Sequence, residues 1–105
     1  MRRGRVFMHG LPAGILVEEK TNQRYQFDYD PEYTGPPVSR TMPRANSPYV
    51  FDSFPTFFDG LLPEGMMLEA LLRKRKIDRD DLFAQLLAVG GDLVGAVTVV
   101  EETSI

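Results

Sequence analysis

Residues Arg24-Tyr25-Gln26-Phe27-Asp28-Tyr29 alternate strictly, which predicts a strand with Tyr25, Phe27 and Tyr29 on one face and Arg24, Gln26 and Asp28 on the other. Two shorter runs precede it. Arg5 to Met8 is β-prone, His9-Gly10-Leu11-Pro12-Ala13-Gly14 carries turn chemistry, and Ile15 to Glu19 is an apolar run that ends in charge. Thr21-Asn22-Gln23 then turns the chain into the third run, so the first thirty residues predict a β-meander. Between Asp30 and Pro48 stand Pro31, Pro36, Pro37, Pro43 and Pro48, each of which fixes φ and removes a donor, so helix is excluded there. An extended piece from Val38 to Met42 suits an edge strand, where a missing N–H is tolerated.

The second half changes period. Phe54, Phe57 and Phe58 are spaced for a short helix with a buried aromatic face, leading into Leu61-Leu62-Pro63. Glu64 to Lys76 predicts a second helix, with Leu68, Leu71 and Leu72 on its apolar face and Arg73 to Lys76 in the last turn, where the helix dipole favours cations. Asp78 is the expected cap of a third helix, with Asp80 and Asp81 in its first turn, Leu82, Phe83, Leu86 and Leu87 as its buried stripe, and Gly90-Gly91 at its end. Gly95 to Val100 is a strand apolar on both faces, so a central, helix-covered position is expected. These elements predict one α+β domain over residues 1–105: a small antiparallel sheet, made of the meander and the C-terminal strand, packed with two to three helices.

Composition narrows the possible chemistry. The chain has 105 residues, 43% of them hydrophobic and 26% charged, which is the balance of a globular domain rather than a disordered tail. No apolar run approaches the ~18 residues of a membrane-spanning helix. The basic start Met1-Arg2-Arg3-Gly4-Arg5 is followed only by Val6-Phe7-Met8 before His9-Gly10, which is no signal-peptide core, so a cytoplasmic location is expected. The absence of Cys excludes thiolate zinc sites, disulfides and Cys nucleophiles. A formal charge of −3 argues against nucleic acid as the main partner.

His9 is the single imidazole, and Ser39, Ser47, Ser53 and Ser104 lack any nucleophile-elbow pattern, so no Ser-His-Asp arrangement is expected. The pairs Glu18-Glu19, Asp80-Asp81 and Glu101-Glu102 are sufficiently explained by strand alternation and a helix N-terminus. Gly90-Gly91-Asp92 runs from a helix end into a strand, the reverse of a phosphate loop. Arg73-Lys74-Arg75-Lys76 sits between two helices like part of a helix-turn-helix. The next helix, however, opens with Asp78, Asp80 and Asp81, which phosphates repel, so the run reads as a solvated helix end, with a contact for an acidic partner as the secondary reading. Neither catalysis, a metal nor a cofactor is expected. Met66 and Met67 follow Gly65 at a helix start, and only some of Met66, Met67, Leu68, Leu71 and Leu72 can share the core stripe, so one methionine is expected outside it, where methionine suits recognition; the alternative is that both fill gaps in a small core.

The run Phe57-Phe58-Asp59-Gly60-Leu61-Leu62-Pro63-Glu64-Gly65, followed by Gly91-Asp92-Leu93-Val94-Gly95-Ala96-Val97, resembles the N-terminal domain of HipA-family serine/threonine kinases. The strand–turn–strand opening and the tyrosine-rich third strand ending at Asp30-Pro31 fit the same family, so the resemblance covers nearly the whole chain. No kinase signature is present. The chain is therefore similar to the stand-alone, HipS-type version of the domain in HipBST toxin–antitoxin systems. The resemblance implies an antitoxin that docks at or near the active site of a separately encoded HipT-like kinase and impedes it. It implies a hetero-oligomer that includes a HipB-like DNA-binding protein, contacted directly or indirectly, with no direct nucleic-acid or membrane contact. A non-inhibitory subunit that bridges the kinase and the DNA-binding protein is the alternative. The residues expected against the kinase are Glu64, Gly65, Met66 and Met67. In the stand-alone relatives a bulky side chain follows the L-L-P-E-G run; here Met66 holds that place, a softer anchor than an aromatic ring.

Overall fold

The alternating run becomes strand β3, Arg24–Tyr29, with Tyr25, Phe27 and Tyr29 all buried. The computed structural model describes residues 1–93 and 95–102; Val94 and Ser104, named above, lie outside them. β1 spans Arg2–Met8 and β2 Leu11–Lys20, joined by the two-residue turn His9-Gly10. Both turn residues have positive φ, 50° and 81°, the backbone twist that a tight hairpin needs. β4 is Tyr49–Phe51 and β5 is Val97–Glu101. The five strands form one antiparallel sheet in the order β4-β3-β2-β1-β5.

Register sorts the side chains into two faces. Val6 lies opposite Gly14 and Val99, and Leu16 opposite Phe27, so Val6, Leu16, Phe27 and Val99 share the fully buried face. Against it pack α1 (Thr56–Asp59), through Phe58, and α3 (Leu82–Val89), through Phe83 and Leu86. Phe58 meets Phe27 edge-on at 5.7 Å, while Phe83 stacks on Tyr25 at 6.2 Å and Phe54 meets both Tyr25 and Phe83 edge-on. The phenylalanine-rich segment thus joins the sheet to the helical layer. Helix α2 (Gly65–Arg75) lies outside this core: none of its residues is buried, and Leu68, Leu71 and Leu72 are only partly covered.

Four expectations are corrected. Leu11 to Gly14, read as turn, is the start of β2, where Gly14 is buried and pairs with Val6 and Tyr29. Val38 to Met42 is a loop anchored by its buried ends Val38 and Met42, not a strand, because Tyr29 ties it down: the Tyr29 hydroxyl accepts from the Val38 N–H at 2.9 Å and donates to the Met42 carbonyl at 2.6 Å. The edge strand comes later, at β4. The C-terminal strand is also an edge rather than central: Val97 and Val99 are buried toward the helices, but Val100 on the other face is 48% exposed. An antiparallel sheet can leave one face open, so an apolar run need not be covered twice. Finally, α3 starts at Leu82, and its cap is Asp81 instead of Asp78, the Asp81 carboxylate accepting from the Ala84 N–H at 3.1 Å. Gly90 caps the other end as expected and leads into a single 3-10 turn, Gly90–Asp92.

Asp81 is placed by tertiary structure. Arg2 donates to both its carboxylate oxygens, at 2.9 and 3.0 Å, and to both oxygens of Glu18, at 2.7 and 2.9 Å. One guanidinium therefore pins the sheet to the start of α3. Burial pushes the Asp81 carboxyl up, but the Arg2 hydrogen bonds, the Ala84 N–H and the Arg2 charge outweigh it and hold the carboxyl below its ordinary 3.8. A depressed carboxylate stabilises the fold fully above its unfolded value and loses that contribution as pH falls through the folded one. The stability gap between the native chain and Asp81→Asn is accordingly expected to be constant near neutrality and to shrink below about pH 4. Urea midpoints measured at pH 6 and pH 3 check this, and a gap unchanged between the two removes the ion pair as its source.

Candidate functional site

The pairs read as structural from sequence do have structural partners. Glu18 is buried against Arg2 while Glu19 on the next position is exposed, and Glu102 accepts from Arg5, which also holds Asp30. His9 is exposed at the hairpin turn. Among the described residues no three His, Cys, Asp or Glu side chains are grouped to hold a metal ion. Arg73, Lys74, Arg75 and Lys76 are all exposed at the end of α2, and Lys76 closes the helix in the left-handed conformation at φ 54°. A hollow of about 480 Å³ lies between Leu11-Pro12 and the segment Asp30 to Gly35. Two of its polar groups are engaged elsewhere, Asp30 by Arg5 and the Tyr33 hydroxyl by the Pro36 carbonyl, and the other two, Glu32 and Thr34, are exposed at its rim.

The candidate contact residues lie together at the other end of α2. Pro63 ends the segment after α1, and Glu64 takes the extended N-cap position with its side chain free of any capping hydrogen bond. Gly65 follows at φ +59°, a conformation L side chains rarely adopt, and it turns the chain sharply into the helix. That turn carries Met66 and Met67 outward, 89% and 74% exposed. Sequence reasoning expected one methionine outside the stripe; the structure places both there, because α2 lies on the rim of the core and buries none of its residues.

Met67 also lines something the sequence did not reveal. Leu61, Pro63 and Met67 face Ala88, Val89 and Leu93 across a groove of about 360 Å³, with Asp92 as its one charged lining residue. The walls come from the segment after α1, from α2 and from the end of α3, so no single stretch of sequence contains it. The two motifs quoted above supply Leu61, Pro63, Asp92 and Leu93, which is the signal that could have found it.

A protein-family model described as the HipA N-terminal domain matches residues 4–100. The chain belongs to this family. Its fold is similar to a solved structure of the N-terminal domain of HipA toxin, with a TM-score of 0.78 and 30% identity, covering 100% of this chain and 96% of that one. In sequence it is 35% identical over 102 residues to an uncharacterised protein of Haemophilus influenzae, covering 97% of this chain and 94% of the relative. The resemblance read from the Phe57–Gly65 and Gly91–Val97 motifs therefore holds for family and fold. Within this HipA N-terminal domain, no helix among the described residues is long and apolar enough to cross a membrane.

Proposed function

We propose that this HipA N-terminal domain is a HipS-like antitoxin component of a toxin–antitoxin system. It binds a HipT-like serine/threonine kinase at or near the active site and lowers its activity, without catalysis of its own. The observation that carries the reading is the pair Met66 and Met67, 89% and 74% exposed beside the positive-φ Gly65 and backed by an apolar groove. Large apolar side chains displayed together on a small domain mark interaction surfaces. Methionine adapts to an irregular partner surface. The half-exposed apolar side chains on the open face of the sheet, such as Val100 and Val50, leave room for a second contact. That feature favours the alternative, a subunit bridging the kinase and a HipB-like DNA-binding protein.

Replacing both Met66 and Met67 by glutamate tests the main reading. A paired anchor worth about 2 kcal/mol or more corresponds to a loss of roughly 30-fold in affinity for the kinase. Because both side chains are exposed, the thermal midpoint should stay close to that of the native chain. Kinase autophosphorylation titrated with each purified protein is the measurement. Undiminished inhibition by the double variant would sink the assignment of the surface. Binding without any inhibition by the native chain would favour the bridge.

A further inference from the structure

Resting on the kinase-binding reading, we infer that the groove beside Met67 is the receiving half of the same contact. It takes an apolar side chain of the partner that is flanked by a lysine or arginine. Met66 is the projecting element, and the groove wall formed by Met67 continues directly from it. The surface is thus a knob beside a hole, and a partner that covers one must meet the other.

The lining chemistry selects the occupant. A small-molecule site needs several convergent polar groups to orient its ligand. Here the groove has one, the Asp92 carboxylate, in otherwise apolar walls. One carboxylate beside an apolar cleft fits one cation beside an apolar side chain, which is the chemistry of a short basic-apolar protein segment.

Charge around the groove points the same way. Asp92 is exposed, and so is Glu64 at the adjoining start of α2; neither has an ion-pair partner among the described residues. The cations of α2 stand at the opposite end of the helix from Glu64, roughly 15 Å along its axis at 1.5 Å per residue; Arg75 reaches a neighbouring hollow that shares Ala88, but none of them lines the groove itself. Arg79 is already bound to Glu69 at 2.6 Å. A second copy of this chain would bring the same carboxylates against one another, so a basic partner segment is favoured over self-association.

The test uses a purified HipT-like kinase lacking a fused N-terminal domain, with affinities measured by calorimetry at low and high salt. Ala88→Phe fills the groove against its Met67 wall while leaving the projecting Met66 in place, and should weaken binding at least tenfold. Asp92→Lys should weaken it about tenfold at low salt and flatten its salt dependence. If Ala88→Phe fails to fold, Asp92→Lys, at an exposed position, decides alone. Loss of binding in Met66→Glu/Met67→Glu, with both groove variants within twofold of native, overturns the groove and leaves the kinase reading standing. All variants within twofold of native overturn both. Sedimentation showing a dimer of the native chain that Ala88→Phe disperses would assign the groove to a second copy and overturn the basic partner.

Discussion

Replacing Arg2 by methionine should cost about 3 kcal/mol of folding stability, although Arg2 is partly exposed and stands next to the first residue of the chain. Its guanidinium donates to both carboxylate oxygens of Glu18, whose side chain is only 2% exposed, and its carbon lies 5.4 Å from the centre of the Phe83 ring. Removing one partner of a buried pair leaves the other charged and desolvated, which typically costs about 3–5 kcal/mol. Water reaching the exposed part of Arg2 puts this case at the lower end. The Tyr25 hydroxyl and the Asn22 N–H still donate to Glu18 at 3.2 Å, but neither carries charge. Burial, and then the charge of Glu18, push the Tyr25 hydroxyl up to about 12, so it remains a donor throughout the ordinary pH range.

For a domain of this size about 3 kcal/mol lowers the thermal midpoint by roughly 12–24 °C. Glu18→Met added to Arg2→Met should recover most of the loss, since an apolar pair of similar volume needs no counter-charge. Thermal unfolding of the two variants decides it. A single variant within 1 kcal/mol of native, or a double variant no more stable than the single, would mean that Glu18 is not held by Arg2.

The same residue explains where sequence reading stopped. Much that is local was legible: the period of β3, the cationic last turn of α2, the His9-Gly10 turn and the two motifs that carry the family. The cap of α3 was misplaced by three residues because two aspartates compete for that role, and the choice is made by Arg2, distant in sequence but adjacent in space. The edge position of β5 was equally hidden. Valines at alternate positions look the same in a central strand and in an edge strand with one open face, and only pairing with β1 distinguishes them. Val38 and Met42 looked like a strand because they are apolar and extended, but their polar partner is the Tyr29 side chain and not a neighbouring ladder.

The candidate site divides along the same line. Gly65, Met66 and Met67 are contiguous, and the projection of one methionine was legible from spacing; that both project depends on α2 lying at the rim of the core. The groove was legible only in part: Leu61, Pro63, Asp92 and Leu93 belong to the two motifs, but Ala88 and Val89 read only as the final turn of α3.

Gly90→Ala should be as damaging as the loss of Arg2, for a reason opposite to the usual one for a glycine at a helix end. Gly90 has φ −58° and ψ −30°, ordinary helical values that alanine adopts readily and by intrinsic propensity prefers by up to about 1 kcal/mol. What the site lacks is space. A Cβ here would collide with the Val99 carbonyl oxygen and stand 2.9 Å from its carbon, and both are backbone of β5. A strand paired along its length with β1 cannot yield by rotating a side chain, so the end of α3 must lift away from the sheet. Overpacking of this kind costs about 1–3 kcal/mol or more, and a backbone contact belongs at the upper end. Gly91 is the control, because a Cβ at that position meets nothing within 4 Å. Gly91→Ala should melt within about 3 °C of native, and Gly90→Ala more than about 10 °C lower. Equal midpoints for the two would refute the close approach of α3 to β5. Ala88 and Val89 line the groove immediately before Gly90, so the same lift should also reshape that surface. On the proposed kinase-binding reading, Gly90→Ala, held at a temperature where it is still folded, is therefore expected to bind a HipT-like kinase more weakly than Gly91→Ala does.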